Sequence, residues 1–163
     1  MKVLTTITDF RRAHATLGSA SLGFVPTMGF LHDGHLEMIK RARAENDGVA
    51  ASIFVNPLQF GPGEDLEAYP RDLDADLALC EARGAALVFH PTVDEVYPEG
   101  PVEPSVPVAD LALWLEGERR PGHFAGVVEV VARLFRAVGP CRAFFGQKDF
   151  QQLQVVRRMV MDL

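Results

Sequence analysis

The 163-residue sequence has only two cysteines, no excess of basic residues and no long apolar run. Cys80 and Cys141 stand far apart, which is typical of neither a disulfide framework nor a metal site. No apolar stretch approaches the roughly 18 residues of a membrane span, and no signal-peptide pattern opens the chain. We therefore expect a cytoplasmic protein with reduced thiols and no membrane partner.

The net charge and the length of the chain restrict the class of protein further. Lys and Arg number 16 against 22 Asp and Glu, so the net charge is −6, which argues against general nucleic-acid binding. Hydrophobic residues make up 48% of the chain and charged residues 23%, which is the balance of an ordinary globular protein. At this length one hydrophobic core is expected. The composition predicts a single domain spanning 1–163.

Short apolar segments alternate with amphipathic ones along the chain. The apolar segments predict strands over 3–7, 22–25, 48–55, 85–89 and 142–145. The amphipathic segments predict a helix capped at Thr8 or Asp9, then helices ending near 46, over 69–83, ending near 138, and from after Gln152 to the terminus. The proline-rich stretch 100–107 predicts a loop or an edge strand. Strand, helix and strand in this order form βαβ units with right-handed crossovers.

The predicted fold class is therefore α/β: a Rossmann-like, doubly wound, mainly parallel sheet with helices on both faces.

One strand-to-helix turn concentrates glycine, proline and histidine. Residues 26–35 have the sequence PTMGFLHDGH, with His32 and His35 where the helix begins. A helix N-terminus offers unpaired N–H groups and positive dipole, and an imidazole can bond a phosphoryl oxygen. Gly29 permits a tight turn, and Gly34 has no Cβ to keep a flat ligand off the backbone. The turn predicts a site for a nucleoside triphosphate.

Two other interpretations of the histidines stay open at this point. A histidine is more often a satisfied or solvated side chain than a functional one. A pair three residues apart could also ligate zinc, but no companion Cys/His pair lies nearby to complete four-coordination.

Polar residues also follow two other predicted strands. Asn56 and Gln59 come after the strand at 48–55 and can both donate and accept, which suits a hydroxy acid, although such residues also simply make turns. Lys148 and Asp149 come after the last strand and suit a phosphate and a ribose hydroxyl. Ligands of open α/β sheets bind beyond the carboxyl ends of the strands, so we expect these loops to share one crevice.

A basic segment precedes the longest predicted helix. Arg119, Arg120 and His123 form a second cluster suited to an anion, with an exposed basic loop as the alternative interpretation. Asp76 lies in the first turns of another helix, where a carboxylate normally just complements the helix dipole.

The HxGH pattern of residues 32–35 resembles the signature of the nucleotidyltransferase and class I aminoacyl-tRNA synthetase superfamily. The longer string from Val25 through His35 closely resembles the pantothenate synthetase (pantoate–β-alanine ligase) family. Segments 54–60, 69–71, 120–127 and 146–152 are similar to the same family, so the resemblance covers the whole chain. Members of that family continue into a second nucleotide loop and a C-terminal domain. We expect an isolated N-terminal domain with weak or no turnover.

The resemblance implies specific roles for individual residues. Phe150 stands where the family commonly has tyrosine, and Gln147 occupies a variable position. The catalytic residues implied are His32, His35 and Lys148; the ATP-binding residues are Met28, Gly29, His32, Gly34, His35, Gly146, Gln147, Lys148 and Asp149; the pantoate and β-alanine residues are Asn56, Gln59 and Gln152; and the magnesium residue is Asp76.

The reaction implied by the resemblance has two halves. The pantoate carboxylate attacks the α-phosphorus of ATP, giving pantoyl adenylate and pyrophosphate; the β-alanine amine then displaces AMP to form pantothenate. The resemblance also implies Mg²⁺ and a homodimer. Two alternatives are another HxGH adenylyltransferase with a phosphorylated second substrate, and a noncatalytic ligand-binding or dimerisation module. A tRNA synthetase fragment is disfavoured by the acidic charge.

Overall fold

A parallel sheet of five strands organises the protein in a computed structural model that describes residues 1–18, 20–61, 63–101 and 110–163. Every strand pair is parallel, and the order across the sheet is β1-β4-β3-β2-β5. The strands are β1 (Lys2–Leu4), β2 (Leu22–Thr27), β3 (Gly48–Ile53), β4 (Leu87–Phe89) and β5 (Arg142–Ala143).

Seven α-helices and two 3₁₀ turns connect the strands within these described ranges. The 3₁₀ turns are Pro57–Gln59 and Asp110–Leu113. None of the helices there is both long and apolar enough to cross a bilayer. The helices are α1 (Ile7–Thr16), α2 (Asp33–Glu45), α3 (Leu73–Ala82), α4 (Val93–Val96), α5 (Glu116–Arg119), α6 (His123–Val138) and α7 (Phe150–Asp162).

The two faces of the sheet bury separate apolar layers, because successive strand residues point to opposite sides. Phe24, Ala50 and Phe89 pack on one side with α1, α6 and α7. Val25 and Val49, one position along, pack on the other side with α2 and α3, together with Ala51 and Val88. Helices therefore cover both faces, and the predicted doubly wound α/β class is confirmed.

Several predicted boundaries were wrong, and two helix starts differ because of local capping. Helix α1 begins at Ile7, since the Thr6 hydroxyl accepts the Asp9 N–H at 3.1 Å, so its cap lies two or three residues earlier than expected. Helix α3 begins at Leu73 rather than at 69–71, because the Asp72 side chain caps it by accepting the Ala75 N–H. The last strand covers only two of the four residues predicted and lies at the sheet edge. Most of the predicted loop 100–107 lies outside the described residues.

The strand order creates a crevice between two particular strands. From β2 the chain continues to β3 on one side, whereas β5 pairs with β2 on the other side. The connections leaving β2 and β5 therefore diverge at their carboxyl ends, which is the topological switch point where open α/β sheets bind ligands. The HxGH turn follows β2, and Lys148 with Asp149 follows β5.

Candidate functional site

His32 and His35 together close the N-terminus of α2. His32 is the N-cap, and its Nδ1 accepts the Gly34 N–H at 3.1 Å. Nδ1 of His35 in turn accepts the His32 N–H at 3.3 Å, and the two rings lie 4.0 Å apart between centroids. Because a backbone N–H only donates, both Nδ1 atoms are acceptors, and each neutral ring carries its proton on Nε2. The pair therefore offers two Nε2–H donors at the positive end of a helix.

Burial and the neighbouring ring act together on His35. Desolvation, and then electrostatic repulsion by the His32 ring, lower the pKa of His35 to about 4, against opposing effects of Asp76 and Asp149. Lys148 also lowers this pKa, so the β5 loop lies within electrostatic range of the imidazole. His35 is therefore neutral at pH 7, and it can bond a phosphoryl oxygen as an N–H donor without carrying a charge before the ligand binds.

The turn between β2 and α2, residues 28–32, is held by a carboxylate from α3. Asp76 is 3% exposed, and its two oxygens accept the N–H groups of Phe30 at 2.8 Å and Leu31 at 2.7 Å. The backbone is left-handed at Gly29 (φ +85°) and at Phe30 (φ +51°), which is an uncommon conformation for phenylalanine. A Cβ at Gly29 would lie 2.8 Å from Oδ2 of Asp76. Glycine at position 29 thus lets the carboxylate reach the turn.

Gly34 lies against the ring of His32, the residue that caps α2. A Cβ at this position would lie 2.9 Å from the His32 ring. The glycine predicted to admit a ligand therefore also admits the imidazole that caps the helix.

The turn after β3 brings Gln59 to the HxGH turn. Gln59 is 8% exposed, and its Nε2 donates to Sδ of Met28 at 2.9 Å. Oε1 of Gln59 accepts from Nδ2 of Asn56 at 3.1 Å, which fixes the orientation of the Gln59 amide. The two segments predicted to bind ATP and pantoate are thus in direct contact at the carboxyl edge of the sheet.

Asn56 has a different environment from the one expected for a substrate contact. Its exposure is 0%, its Nδ2 donates to both Gln59 and the Gly126 carbonyl, and its Oδ1 accepts from the Leu58 N–H and the Tyr97 hydroxyl. Burial raises the pKa of Tyr97, so the hydroxyl remains a donor. A direct contact with pantoate would require one of these bonds to break. This network favours a role for Asn56 in orienting Gln59, and its direct contact with a ligand stays a prediction.

The loop after β5 is open to solvent. Lys148 is 86% exposed, Asp149 is 53% exposed, and the two side chains pair at 3.3 Å. Gln147 is exposed and Gly146 is half-buried in the same loop, while Gln152 is half-buried in the first turn of α7. These residues share the carboxyl edge with the histidines because β5 is the direct neighbour of β2. Their contacts with a ligand stay predictions.

The basic segment before α6 is neutralised from within the chain. Arg120 forms a two-pronged ion pair with Glu64, at 2.6 and 3.0 Å, and a further bond to Glu116 at 2.9 Å. This pairing and the Gly61 N–H lower the pKa of Glu64 to about 2. Nη1 of Arg120 also lies 3.1 Å from Nε2 of His123. Arg120 therefore faces two carboxylates rather than a free anion site, unlike the expectation from sequence.

His123 links Arg120 to the turn after β3 that contains Gln59. Its Nδ1 lies 2.8 Å from the Gln59 carbonyl, so Nδ1 carries the proton there and Nε2 accepts from Arg120. Sequence reasoning missed Glu64 and Tyr97 as parts of the site. Glu64 was one acid in an acidic loop, and Tyr97 followed no recognisable pattern.

Asp76 is the residue predicted to bind magnesium. Among residues 1–18, 20–61, 63–101 and 110–163, no group of three or more His, Cys, Asp or Glu side chains is placed to hold a metal ion. Mg²⁺ often takes only one or two protein carboxylates besides substrate phosphates, so a cluster is not required. However, both oxygens of Asp76 already accept backbone N–H groups, and this fits an anchor of the turn better than a metal ligand. Magnesium binding at Asp76 stays a prediction.

Fold and site together define a class. A doubly wound parallel sheet with an HxGH pair capping the helix after β2, at the switch point, is the architecture of the Rossmann-like nucleotidyltransferase fold.

Comparison with known proteins narrows the class to one family. The pantoate–β-alanine ligase family model matches residues 2–163, and the chain belongs to this family. Pantothenate synthetases from Roseiflexus sp. (strain RS-1) and Gluconobacter oxydans (strain 621H) are 56% and 58% identical to it over 163 residues. Each alignment covers 100% of this chain and 58% of the relative, so the chain spans less than two thirds of their length.

Two solved structures agree with the fold. The crystal structure of a pantothenate synthetase from Thermus thermophilus superposes with a TM-score of 0.91 at 55% identity, covering 99% of this chain and 58% of that one. A pantoate–β-alanine ligase from Francisella tularensis, complexed with "Beta-gamma ATP" and β-alanine, superposes with a TM-score of 0.90 at 38% identity, covering 99% and 62%.

Proposed function

We propose that this chain forms the ATP- and pantoate-binding site at which a pantoate–β-alanine ligase makes pantoyl adenylate. The observation that carries the proposal is the junction of two loops: Nε2–H donors of His32 and His35 at the start of α2, and Gln59 against Met28 of the same turn. Family membership and the Francisella tularensis ligase bound to an ATP-type ligand and β-alanine support the same substrates.

The first half-reaction forms an acyl–phosphate bond. An oxygen of the pantoate carboxylate attacks the α-phosphorus of ATP, and the bond from that phosphorus to the β-bridging oxygen breaks, releasing pyrophosphate. His32 and His35 donate Nε2–H bonds to the α-phosphoryl oxygens as charge builds there. Lys148 screens the triphosphate as a point charge, and Asp149 accepts from the ribose. Gln59 and Gln152 orient pantoate in line with the leaving group.

The second half-reaction forms the amide. The neutral amine of β-alanine attacks the acyl carbon of the adenylate, and the carbon–oxygen bond to AMP breaks. The amine releases one proton to solvent as the amide forms, and no side chain of the protein becomes covalently attached. A neutral imidazole such as His35 suits the developing charge on the departing phosphate because it can donate a hydrogen bond without a prior change of protonation.

The proposal also includes a metal ion, an oligomeric state and a cellular location. Mg²⁺ would supply charge neutralisation of the triphosphate, with Asp76, whose carboxylate accepts from Phe30 and Leu31 of the turn, as its candidate ligand. A homodimer and a cytoplasmic location are the remaining parts, and they rest on the family resemblance and the reduced-thiol composition.

Calorimetry of the 163-residue chain tests the proposal. ATP, pantoate and a non-hydrolysable mimic of pantoyl adenylate are titrated separately; the mimic is expected to bind about 10²-fold more tightly than either part, because it joins both sets of contacts. H35A should abolish this advantage, whereas the matched change H14A on α1 should retain it.

The alternatives give different outcomes. Binding of phosphopantetheine or nicotinate mononucleotide in place of pantoate would overturn the proposal in favour of another adenylyltransferase. Binding of none of the three ligands would favour a noncatalytic module.

A further inference from the structure

The side chain of Gln151 fixes the turn that precedes α5. Its Nε2 donates to the carbonyls of Leu111, at 2.8 Å, and Trp114, at 2.5 Å, while its Oε1 accepts the Glu116 N–H at 3.0 Å. Within this turn Leu115 has φ +54°, a left-handed conformation that a leucine adopts only when its surroundings enforce it. All three bonds of Gln151 go to backbone atoms, so this one amide holds both sides of the turn.

A continuous series of hydrogen bonds leads from this turn to Gln59. Glu116, whose N–H is held by Gln151, accepts from Arg120 at 2.9 Å through its carboxylate. Arg120 lies 3.1 Å from His123, and His123 donates to the Gln59 carbonyl at 2.8 Å. Glu64 holds the opposite side of the same guanidinium. Each hydrogen bond in the series involves a charged group or a backbone group of fixed direction. The series therefore favours one arrangement of these side chains.

The two ends of this series lie at or beside the two residues that the proposed function assigns to pantoate, Gln59 and Gln152. Gln151 is the chain neighbour of Gln152 at the start of α7, and Gln59 lies in the turn after β3. We propose that Gln151 is a positioning residue, which fixes Gln59 relative to Gln152 through Glu116, Arg120 and His123 before substrate arrives. The assignment of pantoate as the ligand rests on the proposed function. A preorganised pair of amides spares the entropy of ordering two loops upon binding.

Hydrogen exchange measures the coupling without any ligand. In Q151A, the backbone amides of residues 58–61 in segment 57–61 are expected to exchange roughly tenfold faster, the effect of losing about one net hydrogen bond from the opening free energy. The matched control is Q154A, which removes the same side chain from the same helix and should leave exchange in 57–61 unchanged. A purely local role of Gln151 would accelerate exchange in 110–116 alone, and that result would overturn the proposal.

Calorimetry with pantoate then tests the functional consequence. Q151A should raise the pantoate Kd several-fold to about tenfold while the ATP Kd stays within twofold, because the HxGH turn is not part of the series. Equal weakening of both ligands would contradict the proposal. Absence of pantoate binding in the unmodified chain would refute the proposed function instead, and the exchange result would still decide the coupling.

Two conservative variants cover the case in which Q151A does not fold. Q151E keeps the acceptor for the Glu116 N–H but loses both donors, so exchange in 57–61 should be intermediate. R120K keeps the charge but cannot bridge Glu64, Glu116 and His123 together, so it should reproduce the Q151A effect in 57–61 without disturbing Leu111 and Trp114. Wild-type exchange in 57–61 for both variants would overturn the proposal.

Discussion

The backbone N–H of Phe30 donates to the carboxylate of Asp76 at 2.8 Å, although the two residues are 46 positions apart in the chain. The adjacent N–H of Leu31 donates to the other oxygen. One buried side chain of α3 therefore determines the path of the turn that ends in His32 and His35. The geometry of the histidine pair depends on a residue from a different helix.

Asp76→Asn is expected to lower the free energy of unfolding by about 2 kcal/mol, because hydrogen bonds to a charged acceptor contribute about 1.5–3 kcal/mol and an amide offers only one oxygen. The same substitution should weaken ATP binding, since the turn that Asp76 anchors ends in both histidines. Urea unfolding and calorimetry measure the two effects. Asp74→Asn, at an exposed site of the same helix, is the control. Equal unfolding midpoints for the two variants would contradict the anchoring role.

His35 makes stability depend on pH in a defined window. Its pKa is lowered from 6.5 to about 4, so between these values the unfolded chain binds a proton that the folded chain does not. Stability from this group is present above pH 6.5 and is lost as the pH falls to 4. For a half-buried ring we expect a loss of about 1 kcal/mol after solvent screening. The difference in unfolding free energy between wild type and H35N, measured in urea, should shrink by that amount across the window. A difference that stays constant with pH would contradict this prediction.

Ligand binding should move the same equilibrium. A triphosphate beside His35 favours the protonated ring, so ATP binding at pH 5–6 is expected to take up protons. Calorimetry in buffers of different ionisation enthalpy measures this uptake. Uptake that persists in H35N would assign the proton to another group.

Periodicity and turn residues were sufficient to predict the fold class. Alternating apolar runs and helix patterns indicated a parallel sheet covered on both faces, and this is confirmed by the separate layers around Phe24 and Val25. The helix starts were less predictable, because competing caps lie within one turn. Thr6, Thr8 and Asp9 all suit an N-cap, and the sequence does not show that Thr6 is the residue that accepts the Asp9 N–H.

The grouping of the HxGH turn with Gln59 at one edge of the sheet was predictable, because both follow the ends of neighbouring strands. His32 and His35 are recognisable from one contiguous turn, and Gln59 from the end of a strand. Asn56 and Asp76 were harder, because their roles depend on partners distant in sequence: Tyr97 and Gly126 for Asn56, and Phe30 for Asp76. A polar residue type at a strand end cannot by itself distinguish a ligand contact from the residue that orients it.

Glu64→Gln tests the ion pair beside the site. The pKa of Glu64 is lowered to about 2 by Arg120, so the stabilisation is present above the ordinary value of 4.5 and is lost as the pH falls toward 2. Because both side chains are 32% exposed, we expect E64Q to cost only about 1 kcal/mol at pH 7 and progressively less below pH 4.5. Glu37→Gln breaks the ion pair with Lys40, in which both side chains are 64% exposed. It should lower the free energy of unfolding by only a few tenths of about 1 kcal/mol. A pH-independent effect of E64Q would assign it to packing.

Gly126→Ala sets two opposing effects against each other. Alanine normally stabilises a helix by about 1 kcal/mol relative to glycine. Here, however, a Cβ would overlap the Leu58 carbonyl and lie 2.7 Å from the Gln59 nitrogen, and neither is a flexible side-chain end. Overpacking of this kind costs about 1–3 kcal/mol, so G126A should be destabilised in urea and should bind pantoate less tightly, as α6 is pushed away from the Gln59 turn. Gly61→Ala, whose Cβ would meet no atom within 4 Å, should leave stability nearly unchanged. If G126A were more stable than wild type, the free energy gained from helix propensity would exceed the cost of the overlap with Leu58. The close approach of α6 would then not position Gln59.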